Sequence, residues 1–377
     1  MKPKYRHLLK DPDVKRWYSN NARGSIITAE ERLRRLGRLC AALNCTPKSL
    51  VESKRKDAET FDEFVMDFVD ASLSQGEHPS QVRNNLLVLK SWLGHFGLKI
   101  ERKIKLPTAD YVQERVPTKE ELSQILRQCD PRGRVIAALM AFSGLRPESI
   151  GNYTGEDGLR LRDLPELRVK GTEVVIEQVP MMVVVRGTLS KARQQYLTFL
   201  PQEGCQYLKE YLETRLRNGE KLSGESPVVA NIFNRKHLFL RTPKVSLDVK
   251  KAMLKAGFEW RPYVLRSYCA TAFDIAEARG LLSHPWRQFF MGHKGDIEAR
   301  YSTSKARLPA HVTEEMRAAY QKCEALLSTT VPQVDHLSLV KEAKIEALKS
   351  LAKSLLDINL VDVKIAKEKE GGRELSQ

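Results

Sequence analysis

Residues able to carry out phosphoryl transfer lie in the second half of the chain, in a definite order. Near residue 300 it reads Met291-Gly292-His293-Lys294-Gly295-Asp296-Ile297-Glu298-Ala299-Arg300-Tyr301-Ser302. Tyr301 stands eight positions after His293 in a short polar segment, with no apolar stripe to mark it as core. A tyrosine attacking a phosphodiester passes through a phosphorane with extra negative charge on its non-bridging oxygens. Planar guanidinium forks meet those oxygens bidentately, as lysine cannot. The departing 5′ oxygen needs a proton donor, and a further donor completes the cage. The phosphotyrosine conserves the bond for religation, so the chemistry requires no metal and no cofactor. Two arginines fit: Arg146, after Ser143-Gly144-Leu145, and Arg266, three residues after Tyr263 and so on the same helical face. Either arginine alone reads more simply as a surface or ion-pairing residue. Followed by Gly292-His293 and Tyr301, the two read as a site. The other tyrosines compete poorly: Tyr268 falls inside an amphipathic helix, Tyr320 in a later helix and Tyr196 on a strand.

Composition agrees with a polyanionic partner. The 377 residues carry 63 Lys+Arg against 47 Asp+Glu, a net charge of +16, with a pI near 9.5. Phosphate neutralisation releases counterions and favours nucleic acid as the partner of such a chain. Residues 1–116 hold 22 Lys+Arg and 15 Asp+Glu, or +7, and the remainder holds +9. Both halves are basic, as expected of a clamp gripping one polyanion from two sides. The six cysteines show no C-x-x-C pair, which argues against a zinc site and for reduced core thiols. No signal peptide and no membrane-spanning apolar run is evident, so a cytoplasmic protein without a membrane partner is expected.

The elements that must position the site follow from periodicity. Residues 1–27 are polar and rich in turn formers and read as a flexible basic arm. Residues 28–97 read as roughly four amphipathic helices, the first opened by Thr28 and Glu31 as a capping box. Its polar face carries Arg32, Arg34, Arg35 and Arg38, of which Arg32 and Arg35 are candidate phosphate contacts. Residues 98–117, interrupted by Pro107 and Pro117, show little periodicity and read as a basic linker in which Lys99, Arg102, Lys103 and Lys105 could lie along a phosphate backbone. From 118 to 330 the pattern is mixed. Helices alternate with three predicted strands at 174–176, 181–186 and 195–200, and the last two are joined by the loop Gly187–Arg193. Residues 331–377 carry Leu337, Leu339, Val340, Ile345, Leu348, Leu351, Leu355 and Leu356 at helical spacing, a tail helix suited to docking on a neighbouring protomer, with a disordered end.

In this order the motifs resemble the tyrosine recombinase (phage-type integrase) family, and the form Met291-Gly292-His293-Lys294-Gly295-Asp296-Ile297-Glu298 through Tyr301 looks particularly like integrases of archaeal viruses and plasmids. Phe142-Ser143-Gly144-Leu145-Arg146 is similar to the family's first arginine motif, and Tyr263-Val264-Leu265-Arg266 to its His-x-x-Arg. Gly292-His293 matches its Gly-His pair and Tyr301 its nucleophile. The resemblance implies a mostly α fold with a small β-sheet, an N-terminal helical core-binding domain joined to a mixed α/β catalytic domain. It also implies a 3′-phosphotyrosyl intermediate, strand exchange through a Holliday junction, and a homo-tetramer on DNA with a dimer on each site. The family's general acid is a hairpin lysine, matched by Lys191, with Lys170 as runner-up. Tyr263 replaces the motif histidine. A phenol donates a hydrogen bond but is a poor base at neutral pH, so this position is expected to orient phosphate and not to accept a proton. The eight-residue step from His293 to Tyr301 is one shorter than is common in bacterial members, which leaves delivery in cis or in trans open. A type IB topoisomerase and a non-catalytic DNA-binding protein of the same fold are the alternatives.

Overall fold

The computed structural model describes residues 5–108, 114–231, 238–293 and 308–330. Among these the chain is mostly helical with two small antiparallel two-stranded sheets. It forms two compact units. One comprises Met1–Arg115, Ile150–Gly158 and Ala230–Leu247, the other Val116–Ser149, Leu159–Val229 and Asp248–Gln377.

The first unit is built on α1 (Pro12–Gly24), α2 (Ile26–Ala42), α3 (Pro47–Lys56), α4 (Ala58–Ser74) and α5 (Pro79–Gly94). Asp11, Ser25, Thr46, Asp57 and His78 cap these helices by accepting from first-turn N–H groups. Residues 12–24, expected above to belong to a flexible arm, are helical. Pro12 suits the first turn, and Val14 and Trp17 are buried in the core. Trp17 meets Trp92 edge to face at 5.6 Å, and its Nε1 donates to Ser91 O at 3.2 Å. Burying such a side chain contributes about 1.5–3 kcal/mol toward ordering an otherwise polar segment. The second helix starts at Ile26 with Ser25 as cap, two residues before the expected start at Thr28.

Residues 98–106 also differ from expectation. Leu98, Ile100, Ile104 and Leu106 pack against the helical core, while Lys99, Glu101, Lys103 and Lys105 are exposed. This is the period of two of an extended chain lying on a surface. Asp62 fixes the strap: one oxygen takes the Lys54 ammonium at 2.7 Å, and the other accepts from Glu101 N at 2.9 Å. Lys54 and Asp62 are both buried, so each needs the other to remain charged inside the protein.

The second unit contains α6 (Lys119–Gln128), α7 (Pro131–Ala141), the one-turn α8 (Pro147–Ile150), α9 (Gln202–Arg217), most of α10 (Thr242–Lys255), α11 (Val264–Ala278), α12 (His284–Phe290) and α13 (Ala310–Leu327). Strands β1 (Leu167–Lys170) and β2 (Glu173–Ile176) form one hairpin, and β3 (Met181–Val185) and β4 (Tyr196–Leu200) the other. The sequence predicts three of these four strands. β1 escaped because two of its four residues, Arg168 and Lys170, are charged. α7 is buried all round, and Phe199, Phe273, Phe290 and Tyr320 form an aromatic cluster beside it, Phe199 to Tyr320 at 5.5 Å. Tyr320 donates to Phe142 O at 2.9 Å from within this core, so it is structural.

Candidate active site

Two chain reversals, each at a left-handed glycine, frame the site. The first ends α7: Gly144 has φ +63°, and a Cβ there would come within 2.8 Å of Met291 Sδ. The second ends α12 in a Schellman cap. Gly292 has φ +57°, its N–H donates to Phe289 O at 2.9 Å, and His293 N–H donates to Gln288 O at 3.1 Å. Met-Gly-His is therefore a helix terminator that delivers His293 at a fixed angle.

Arg266, in the first turn of α11, braces the two reversals together. It is 2% exposed, and its guanidinium donates to Gly144 O and to Met291 O. Arg146, half-buried beside Gly144, donates to Gly292 O at 3.2 Å. Among the described residues, every partner of regular hydrogen-bond geometry for these two guanidinium groups is a carbonyl oxygen or His293, with the Tyr196 hydroxyl also beside Arg266; no carboxylate neutralises either. Burial and the nearby Arg146 charge both lower the pKa of Arg266. Two such cations leave an unbalanced positive potential, which an anion would relieve.

His293 completes the cluster. Its Nδ1 lies 2.7 Å from Gln288 Oε1, an acceptor, which assigns the ring proton to Nδ1 and leaves the Nε2 lone pair facing Arg266 Nη2 at a long 3.5 Å. Loss of solvent around the ring, then the charges of Arg266, Arg146 and Arg287, hold its pKa down to about 4. The imidazole is thus neutral at pH 7. Arg287 differs from the other two arginines in being paired with Asp274 at 2.8 Å and Glu277 at 2.7 Å.

The β3–β4 hairpin is tied to the Arg146 turn twice. Ser149 Oγ donates to Leu189 O at 3.0 Å, and Thr198 Oγ1 donates to Ser143 O at 3.1 Å. Lys191 is exposed on the loop between these tethers. Lys170 belongs to the other hairpin, opposite Glu173. Tyr263 immediately precedes α11, is 51% exposed, and lies close enough to Arg266 for the two to interact electrostatically. Tyr301 and the tail of residues 331–377 lie outside the described residues.

The expected phosphate contacts of the first unit divide. Arg35 pairs with Glu31 at 2.7 Å and donates to Asn85 at 3.2 Å, while Arg32 donates to Asn21 and Ser91. Arg102 pairs with Glu59 and Glu63 at 3.1 and 2.9 Å. Lys99, Lys103 and Lys105 all stand on the exposed side of the strap. The sequence reading missed Gln288, Ser149 and Thr198, which orient the site without touching a reactant. Of these only Gln288 had a usable signal, because a glycine cap at 292 returns residue 293 to residue 288. Among the described residues no three His, Cys, Asp or Glu side chains converge as metal ligands, and no helix is long and apolar enough to cross a membrane.

No protein-family model and no curated protein matches the chain. Solved structures do. The chain is similar to XerA recombinase (16% identity over 81% of this chain and 97% of that one, TM-score 0.35) and to the integrase of mycobacterium phage Brujita (18%, 88% and 96%, 0.36). It is also similar to lambda integrase bound to DNA (15%, 76% and 91%, 0.47). By their names these solved structures are one recombinase and two integrases.

Proposed function

We propose that this chain is a site-specific DNA recombinase of the tyrosine type. The observation that carries the reading is the convergence of Arg146, Arg266 and His293 on one face, with two guanidinium groups that no carboxylate among the described residues neutralises. A phosphodiester entering this cluster has its non-bridging oxygens met by guanidinium forks, whose donors are most effective as charge grows in the phosphorane. The Tyr301 phenolic oxygen attacks phosphorus and the bond to the 5′ oxygen breaks. His293, a neutral imidazole whose basicity rises once a phosphate dianion-like charge sits beside it, takes the phenolic proton. Lys191 gives a proton to the departing 5′ oxygen. The products are a 3′-phosphotyrosyl link and a free 5′-hydroxyl. A 5′-hydroxyl from a second duplex then attacks the phosphotyrosine, passing through a Holliday junction. Tyr263 donates a hydrogen bond to the phosphate and Lys99, Lys103 and Lys105 contact the backbone. The assembly is a dimer on each site and a tetramer across two, with no metal or cofactor in the reaction.

The test is covalent trapping. Nicked suicide duplexes from a randomised library, incubated with the protein in chelator, should yield an adduct that survives denaturation and is lost in Tyr301→Phe. No adduct from the wild type, or an undiminished adduct from Tyr301→Phe, overturns the reading. Exchange between two duplexes that rises with protein concentration supports recombination; relaxation of a single supercoiled circle without exchange supports the topoisomerase alternative.

A further inference from the structure

Tyr196 is the buried tyrosine of this site, and the reaction above gives it no role. It opens β4 at the end of the loop that carries Lys191, and it is 4% exposed. Its ring lies directly beneath the second glycine reversal: a Cβ on Gly292 would approach Cε1 and Cζ of the ring to 2.5 Å. The hydroxyl is fully enclosed and, among the described residues, has no hydrogen-bond partner of regular geometry. The charges of Arg266 and Arg146 nevertheless act on it, and the Ser149 hydroxyl and the Arg266 guanidinium both lie beside it.

An enclosed hydroxyl without a regular partner is a liability that folded proteins rarely retain without a use. A strand position this close to the core could hold phenylalanine, which fills the same space without a polar atom to satisfy. The liability faces the two guanidinium groups whose orientation the proposed chemistry depends on. We infer that Tyr196 is a positioning residue: its ring sets the Gly292–His293 turn, and its hydroxyl steers the Arg266–Arg146 pair toward the scissile phosphate. This inference rests on the reading that the pair grips a DNA phosphodiester. In the free protein Arg266 donates to Gly144 O and Met291 O. When a phosphate engages the pair, the phenolic oxygen accepts an N–H that the carbonyls do not hold, which restrains the guanidinium plane. Tyr196 cannot itself be the nucleophile, because its oxygen is enclosed beneath the turn and has no path to a phosphodiester.

Tyr196→Phe keeps the ring and deletes only the hydroxyl. A purely structural tyrosine with an unpartnered hydroxyl predicts an unchanged or raised Tm and an unchanged cleavage rate. The positioning role predicts an unchanged or raised Tm with first-order adduct formation slowed by about 10- to 100-fold, as misorientation of a reacting group does. Duplex affinity should hold within about twofold in this variant, since the proposed phosphate contacts of Lys99, Lys103 and Lys105 are untouched. Wild-type cleavage with an equally fast Tyr196→Phe overturns the inference and leaves the recombinase reading standing. Absence of any wild-type adduct removes both. Should Tyr196→Phe lose its fold, 3-fluorotyrosine placed at 196 keeps ring and hydroxyl but weakens the oxygen as an acceptor. A slowed rate in that protein supports the steering role, and an unchanged rate overturns it.

Discussion

The first unit and the Arg146–Arg266 cluster of the second use arginine in opposite ways. In the first, Arg35 pairs with Glu31, Arg102 with Glu59 and Glu63, and Arg32 donates to Asn21 and Ser91. Their charges are matched, or their donors taken, by neighbours in the same bundle. In the second, Arg146 and Arg266 donate to the carbonyl oxygens of Gly144, Met291 and Gly292. A carbonyl satisfies the geometry of a guanidinium without cancelling its charge. The first arrangement holds a surface together, whereas the second stores positive potential inside a turn. An arginine's function is therefore legible less from its own burial than from whether its acceptors carry charge.

The sharpest way to break this contrast is to exchange one member of each kind. Arg266→Lys keeps the charge but cannot span Gly144 O and Met291 O with a planar fork. Adduct formation on a nicked duplex should fall by about 10²- to 10³-fold, the scale of losing a preorganised oxyanion donor. Arg102→Gln removes only solvent-screened pairs with Glu59 and Glu63, and should leave the cleavage rate within about twofold. A rate that falls equally in both variants would show that carbonyl-held and carboxylate-held arginines do not differ in the way proposed.

A smaller effect is expected where geometry and not charge is disturbed. Gly292→Ala places a side chain at φ +57° and drives its Cβ into the Tyr196 ring. The left-handed conformation alone costs about 1–2 kcal/mol for a residue with a Cβ. The contact adds to it, so Tm by calorimetry should fall by about 4–8 °C. Gly97, also left-handed at φ +73°, has open space where its Cβ would go. Gly97→Ala should therefore cost only the conformational part, and equal losses at both positions would remove the Tyr196 contact from the account.

The same contrast explains what could be read from sequence. Ser143-Gly144-Leu145-Arg146 and Met291-Gly292-His293 are local: a helix end, a left-handed glycine and the residue it delivers, all within a few positions. Such units can be read in one dimension because their hydrogen bonds close over five or six residues. The helices of the first unit were legible for a related reason, since Leu33, Leu36 and Leu39 or Val82, Leu86 and Leu89 repeat at the helical period. α1 was not, because only Val14 and Trp17 among its thirteen residues are buried, too few to make a stripe. The strap at 98–106 was misread through its charge: four basic residues drew attention away from Leu98, Ile100, Ile104 and Leu106, which alternate at the period of an extended chain. Tyr196 was placed on its strand but not beside the arginines. That neighbourhood is set by Ser149 and Thr198 across the tethers to Leu189 and Ser143, forty or more positions away, and no local pattern encodes it.

The weakest expected effect separates the site's two kinds of side chain, the charged arginines and the neutral His293. With a folded-state pKa held near 4 and an ordinary value of 6.5 when unfolded, His293 resists a proton that the unfolded chain accepts. Between pH 6.5 and 4 the unfolded state thus binds more protons, so this residue lowers stability as pH falls through that window and contributes no pH dependence above it. Because His293 is solvent-exposed on one side, the change in Tm should be slight, and the direct measurement is the ring's NMR titration. In the free protein the imidazole should titrate near 4; in Arg146→Gln it should move up toward 6.5, since one of the cations opposing protonation is gone. A short phosphate-bearing duplex bound at the site should move it the same way, because the anion offsets both guanidinium charges at once. A titration unmoved by either change would mean that the arginines do not set the state of His293, and the positive potential attributed to their carbonyl partners would lose its only internal probe among the described residues.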